Sequence, residues 1–457
     1  MSCSAARSTP ASTRAGTRPP ARTPGPSHEG RSMTTATDQA ALTAMLEEAE
    51  RRHGEFRTAG LALDLTRGKP ASAQLDLSAG LDGILAGDYR AEDGTDTRNY
   101  GGLLGIPECR RLGAALLGVD PARVMAAGNS SLTLMYLFVE TAHLFGLGDA
   151  GPWKEEGREI GFLCPVPGYD RHFTVCESLG IRMHPVPLLE DGPDMDAVEA
   201  AVAADPGING IWCVPKYSNP TGTVYADAVV ERMAALPAKA GPGFRVLWDN
   251  AYAVHDLDPA PPALASLMDA ADAAGTADAM VQFASTSKIS FAGAGVAFLA
   301  TGAATLEAFT QRLGSLMIGW DKVNQLRHAR MFPDLDAVHA HMRRQAEAIA
   351  PKFEAVERQL QGGLGNTGLA AWTKPRGGYF VSVDTLPGLA TEVVALAAEA
   401  GVKLTPAGST WPYQREPEDR NIRLAPTFPP LEDVERAMEV FVNSVRLASA
   451  RRLLADR

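Results

Sequence analysis

Cysteine is scarce in this sequence. Its 457 residues hold five, Cys3, Cys109, Cys164, Cys176 and Cys213, with no CxxC pair and no metal-like cluster. An odd, dispersed set excludes a disulfide framework and reads as reduced core thiols of a cytoplasmic protein. No apolar run approaches the ~20 residues needed to span a bilayer. Positive charge is in deficit: 43 Lys and Arg stand against 54 Asp and Glu, for a formal charge of -11. That implies no basic face, so neither nucleic acid nor an anionic membrane is an expected partner. The nine histidines show no HExxH or other ligand spacing, so no metal is expected.

What is present is ordinary globular composition, 45% hydrophobic and 21% charged, in a chain long enough for two domains. Residues 1–32 differ. They are rich in Pro, Ser, Thr and Arg, with Glu29 the only acid. Such a segment cannot bury enough apolar surface to order itself, and its prolines break any amphipathic helix. The expectation is a disordered extension over 1–37, with Met33 an alternative start. Leu42, Met45, Leu46 and Ala49 then follow helical spacing. "LALDLTRGKP" reads as a short extended piece and a turn.

From about 124 to 300 the pattern is strand, loop, helix, repeated. The runs at 160–164, 210–214, 244–248, 280–284 and 296–300 are near-continuously apolar, as strands buried on both faces are. This predicts an α/β fold with a mostly parallel sheet covered by helices. Ser131–Phe145 is apolar almost all round and predicts a buried helix. A long helical stretch is predicted over about 303–360. The C-terminal part, with "GGYFVSVD", "VKLTPAG" and "NIRLAPTF", reads as a smaller α+β domain. Its last helix has Val434, Ala437, Met438, Phe441 and Val445 on one face. No internal repeat is visible. The organisation expected is an arm and part of the small domain over 38–75, a large domain over 76–330 and a small domain over 331–457.

Open α/β sheets bind ligands at the carboxyl ends of their strands. The loop after 124–126 carries Asn129 and Ser130 before a helix N-terminus, a place for an anion. The loop after 160–164 carries Tyr169, a ring that can stack, and His172. The loop after 210–214 reads "PKYSNPTG" and presents the amide of Asn219. The loop after 244–248 carries Asp249 and Tyr252. A carboxylate at the end of a buried strand is costly without a cationic partner. The loop after 280–284 reads "STSK", with Ser285, Ser287 and Lys288. Each alone has a plain structural reading as a cap, rim tyrosine, turn or ion pair. Together they supply what pyridoxal phosphate requires: an amine for its aldehyde, a carboxylate for its ring nitrogen, and donors for its ring oxygen and phosphate.

With "YSNPTG", "DNAY", "STSK" and "NIRLAP" in order, the chain resembles a class I, fold-type I pyridoxal-phosphate aminotransferase from about residue 40 to 457. The wordings "LDLTRGKP", "GNSSL" and "SKISFAGAG" resemble a bacterial aspartate aminotransferase subgroup related to the catalytic domains of MocR-type regulators. The resemblance implies a large domain built on a mostly parallel seven-stranded sheet between helices. It implies pyridoxal 5'-phosphate as cofactor and a small amino acid and 2-oxo acid as substrates, in a homodimer. Lys288 would form the imine with the cofactor and shuttle the Cα proton. Asp249 would pair with the ring nitrogen, supported by His172. Tyr252 and Asn219 would bond the ring oxygen, and Tyr169 would stack on the ring. Asn129, Ser130, Ser285 and Ser287 would line the phosphate, with Tyr100 serving the neighbouring subunit. Arg423 would clamp the substrate carboxylate, and Gly68 would let backbone approach it. An arginine is a suitable clamp because its planar fork binds a carboxylate bidentately.

The sequence departs from that pattern in one place. Gly295 stands where many relatives carry a phosphate-binding arginine. The second carboxylate of L-aspartate also needs a cation. Lys322 is the first expectation from its distance to Lys288 and Arg67 the second, with Lys69 and Arg327 as further candidates. The implied reaction is L-aspartate with 2-oxoglutarate, giving oxaloacetate and L-glutamate. The alternatives are another transaminase, for alanine or aromatic amino acids, a β-lyase, or a cofactor-sensing regulator. The regulator would need an N-terminal winged helix-turn-helix domain, for which residues 1–40 are too short and too rich in proline.

Overall fold

A computed structural model describes residues 36–148 and 150–456. The predicted extension falls almost wholly outside them. The central sheet has eight strands, in the spatial order Val124–Ala126, Ala297–Thr301, Met280–Ser285, Arg245–Asp249, Ile208–Cys213, Gly161–Val166, Arg182–Leu189 and Gly192–Pro193. The five strands from Met280–Ser285 through Arg182–Leu189 run parallel, and the others pair antiparallel. Seven strands make the body of this sheet. The eighth is a two-residue piece, Gly192–Pro193, hairpinned to its neighbour. The predicted apolar runs coincide with strands to within two residues at each end.

Arg182–Leu189 escaped prediction because Pro185 and Pro187 interrupt it. The strand lies next to the sheet edge, where a missing N–H is tolerated. It pairs along its length only with Gly161–Val166. The predicted helix after Ser130 spans Ser131–Leu144 and packs Phe138 and Val139 into the large core.

The single helical stretch expected over 303–360 is instead three helices, Ala303–Leu313, Lys322–Met331 and Leu335–Leu364. Pro333 lies in the second break, and Asp334 caps the third helix by accepting from Ala337 N–H at 2.8 Å. Val338 and Met342 of that third helix pack in a core of the large sheet, while Ala355, Val356 and Leu360 pack in the C-terminal core. The helix therefore runs from one core into the other. The C-terminal core holds the antiparallel sheet of Ala370–Trp372, Val381–Thr385 and Asn421–Leu424, and the helix Leu431–Ala455. Ala49 and Phe56 of the first helix, Ala36–Thr58, pack in the same core, and Asn443 Nδ2 donates to Ala49 O at 3.0 Å. The long helices thus carry Arg423, on its strand, to the carboxyl end of the large sheet. Among the described residues no helix is long and apolar enough to cross a membrane.

Candidate active site

Five strand-end loops converge on one small cavity lined by Tyr169, Asn219, Asp249, Tyr252 and Lys288, with Ser131 at its edge. They converge because the five strands that precede them point the same way, so their carboxyl ends share one edge of the sheet. A larger cavity lies elsewhere, between Phe353, Glu357 and the segment Thr373–Arg376. Asp258 with Arg376 and Glu357 with Lys374 pair there, so it offers no comparable set of unengaged groups.

Asp249 is the end of its strand and is 3% exposed. One carboxylate oxygen, Oδ2, lies 3.0 Å from His172 Nε2. The other, Oδ1, is buried with no hydrogen-bond partner among the described residues. His172 is held in turn by Trp212, whose ring stacks on the imidazole at 4.3 Å and 8°. Trp212 Nε1 donates to Cys176 Sγ at 3.3 Å. A buried carboxylate oxygen without a donor is expensive. Its position, aimed from a strand end beside Lys288, suits a protonated ring nitrogen.

Lys288 borders the same cavity, its Nζ 5.0 Å from the centroid of the Tyr252 ring. Burial lowers its pKa, and the Asp249 charge opposes that shift. The amine is thereby brought toward the neutral form that attacks a carbonyl. Burial also pushes the Tyr252 hydroxyl well above its ordinary value, so it stays a donor. Asn219 is buried and pinned by its loop: Lys216 pairs with Asp256 at 2.7 Å, and Tyr217 OH donates to Asp256 at 2.6 Å.

Three of the four residues expected at the phosphate, Asn129, Ser130 and Ser287, are held by local hydrogen bonds. Ser130 caps the helix by accepting from Thr133 N–H at 3.2 Å, and Ser287 Oγ donates to Asn129 O at 3.1 Å. Ser285 ends its strand, 8% exposed. At Gly295 a Cβ would stand 2.9 Å from Ser287 N and 3.0 Å from Thr286 Oγ1. The loop closes tightly on the glycine, so any side chain here, an arginine included, would require the backbone of Ser287 to shift. Asn324 instead donates to Ala294 O and Gly295 O at 2.9 and 3.0 Å.

Arg423 is buried, with Nη1 bonded to Asn219 Oδ1 at 3.3 Å and to Asp170 Oδ1 at 3.2 Å. Its Nε has no partner among the described residues. Its guanidinium lies 5.0 Å from the Phe380 ring, and that ring fills the space a Cβ on Gly68 would need, at 2.2 Å. Gly68 and Arg423 thus meet through Phe380, and Arg67 beside Gly68 is exposed, 3.9 Å from Asp64.

Lys322 is the first residue the sequence offers for the second substrate carboxylate. Its side chain is buried, and Nζ donates to Asn99 O at 2.7 Å and Gly101 O at 2.6 Å. Those bonds engage the ammonium in fixing the loop that carries Tyr100, which is 80% exposed. Sequence reading also missed Asp170, Phe380 and His255. Asp170 carried a signal, since it lies between Tyr169 and His172, but an acid in the first turn of a helix is common without any ligand.

His255 lies beneath Lys288, its Nε2 3.3 Å from Lys288 O. Burial first, and the Lys288 charge second, push its pKa from 6.5 down to about 3. The folded protein keeps this ring neutral while the unfolded chain protonates below about pH 6.5, so stability is lost as pH falls toward 3. One such proton is worth up to about 1.4 kcal/mol per pH unit. We expect the fall of Tm between pH 6.5 and 5 to be shallower in His255→Gln than in the wild type. Parallel curves in the two proteins would exclude His255 as a source of acid sensitivity.

Residues 37–457 match the family model described as aspartate amino-transferase. The chain is 47% identical over 409 residues to the aspartate aminotransferase of Corynebacterium glutamicum, covering 88% of this chain and 93% of that one. Its fold matches the crystal structure of an aspartate transaminase from Corynebacterium glutamicum with a TM-score of 0.87 at 46% identity, over 91% of this chain and 98% of that one. The α-aminoadipate aminotransferase of Thermus thermophilus, solved with N-(5'-phosphopyridoxyl)-L-leucine, shares the fold at a TM-score of 0.69 and 20% identity, over 93% and 100% of the two chains.

Proposed function

The chain belongs to the aspartate aminotransferase family and is an aminotransferase, and we propose that it moves the amino group of L-aspartate to 2-oxoglutarate on pyridoxal 5'-phosphate. The observation that carries the cofactor reading is Asp249 Oδ1, buried and without a donor beside Lys288. When bound, the cofactor supplies an electron-withdrawing ring that stabilises charge developing at the substrate Cα.

The chain's own residues do the rest. Asp249, oriented by His172, accepts from the ring nitrogen and keeps it protonated. Tyr169 covers a ring face, and Tyr252 and Asn219 donate to the ring oxygen. Asn129, Ser130, Ser285 and Ser287 surround the phosphate. Lys288 would bind the cofactor aldehyde and, once displaced by the substrate amine, its free amine would move the proton at the substrate Cα. Arg423 offers Nε, with the adjoining Nη2, to the substrate α-carboxylate, while Gly68 lets the backbone come close. With Lys322 bonded to two carbonyls, Arg67 is the cation proposed for the second carboxylate, since it adjoins Gly68, whose backbone lies against the Phe380 ring that Arg423 also faces.

The proposed assembly is a homodimer, because Tyr100 is exposed on a loop that Lys322 fixes firmly. Buried free cysteines, four among the described residues, fit a cytoplasmic setting. An excess of negative charge disfavours nucleic acid and membrane as partners.

The test is kcat/KM for L-aspartate and L-alanine, in wild type and Arg67→Gln, over an enzyme dilution series. Losing one charge-assisted bond should lower the aspartate value by about ten- to a hundredfold and spare alanine. Specific activity should fall on dilution as dimers separate. A constant aspartate-to-alanine ratio removes Arg67 from the site. Preference for alanine or an aromatic substrate, or release of pyruvate and ammonia, replaces the aspartate reading with one of its alternatives.

A further inference from the structure

We infer that Asp170 is a positioning residue that acts through Arg423 as a resident carboxylate, competing with the substrate for the same cation and setting how tightly carboxylates bind. The inference rests on the reading of Arg423 as the substrate-carboxylate site. Asp170 is the first residue of the helix Asp170–Ser178. The same helix carries His172 to within 3.0 Å of Asp249. Its place is therefore fixed by the catalytic machinery. Asp170 Oδ1 lies 3.2 Å from Arg423 Nη1, and the two side chains are 33% and 8% exposed. The neutral Asn219 Oδ1 lies on the same nitrogen at 3.3 Å.

An Nη group has two hydrogens, so these two oxygens satisfy it. An amide oxygen at position 170 would satisfy it equally. The negative charge of Asp170 is thus not needed for hydrogen bonding. Its effect is electrostatic. Before substrate arrives, it neutralises a guanidinium that would otherwise sit buried and unpaired. Once a carboxylate reaches Nε, two anions share one cation, and each weakens the other's hold. Asp170 therefore keeps the empty site stable and holds substrate and product affinity down, favouring release.

The test uses the holoenzyme. Asp170→Asn keeps the size and the bond to Nη1 but removes the charge. KM for L-aspartate should fall about tenfold, the partial exposure of Asp170 screening a larger effect. The dissociation constant of succinate, a dicarboxylate with no amino group to transfer, should fall by a similar factor. Damage to the site loosens ligands and cannot produce this tightening. Arg423→Gln is measured alongside. If it raises KM while Asp170→Asn leaves KM and succinate affinity unchanged or weaker, the inference fails and the reading of Arg423 stands. If Arg423→Gln leaves KM unchanged, that reading fails and the inference falls with it.

Discussion

Replacing Lys288 by alanine is expected to lower kcat/KM for L-aspartate by about 10⁴-fold or more, while the protein still binds pyridoxal phosphate. The loss is large because one amine carries two tasks in the proposed reaction. It holds the cofactor aldehyde and it moves the proton at the substrate Cα. No other described residue is placed for either. Lys216, the next amine in the neighbouring loop, is paired with Asp256 at 2.7 Å and donates to Ala253 O at 2.9 Å. His255, whose pKa burial pushes down to about 3, is no proton carrier near neutrality. Cofactor retention is expected because Asp249, Asn219 and the serines of the phosphate lining do not depend on Lys288. Burial already disfavours the ammonium there, so its removal should not unfold the chain. The measurement is steady-state turnover together with cofactor stoichiometry after dialysis. Turnover within tenfold of the wild type would remove Lys288 from the chemistry.

The second large effect is at Asp249. Asp249→Ala should cost about 10²- to 10⁴-fold in kcat/KM, if the ~3–5 kcal/mol that removing one partner of a buried charged pair costs is lost from the transition state. Two losses coincide. The ring nitrogen of the cofactor loses its acceptor, and His172 Nε2 loses the carboxylate 3.0 Å away. The imidazole cannot turn to another partner, because Trp212 stacks on it at 4.3 Å. Tyr252→Phe removes a single hydrogen bond, worth ~0.5–1.5 kcal/mol, or a few-fold to about tenfold. The ranking is the content of this prediction. Equal losses in the two variants would mean that Asp249 contributes only packing, and the cofactor reading would lose the observation that carries it.

Much of this was legible in the chain itself. Strands buried on both faces must be apolar throughout, so five of them appeared as runs, and the polar residues following each run marked the loops. Lys288, Asp249, Tyr252, Asn219 and Tyr169 were readable because the chemistry needs those residue types at strand ends, and short loops leave them few places to go. The proline-broken strand Arg182–Leu189 was not readable, since its stability comes from one neighbour in the sheet. Nor were the breaks in the long helical stretch, where composition alone looked continuous.

Direction and partnership were decided only by the tertiary structure. Spacing along the chain suggested that Lys322 reaches a substrate, but spacing says nothing about where an ammonium points. The fold turned it onto two carbonyls more than two hundred residues away in sequence. Gly295 looked like a missing arginine and proved to be a point where a side chain would press on the backbone of Ser287. Arg423 and Asp170, 253 positions apart, became a pair only when the C-terminal sheet packed over the large one. A local sequence determines which strands and turns form, because those depend on neighbours within a few residues. Which charge meets which depends on how the two cores close on each other, and that is set by the sum of their packing.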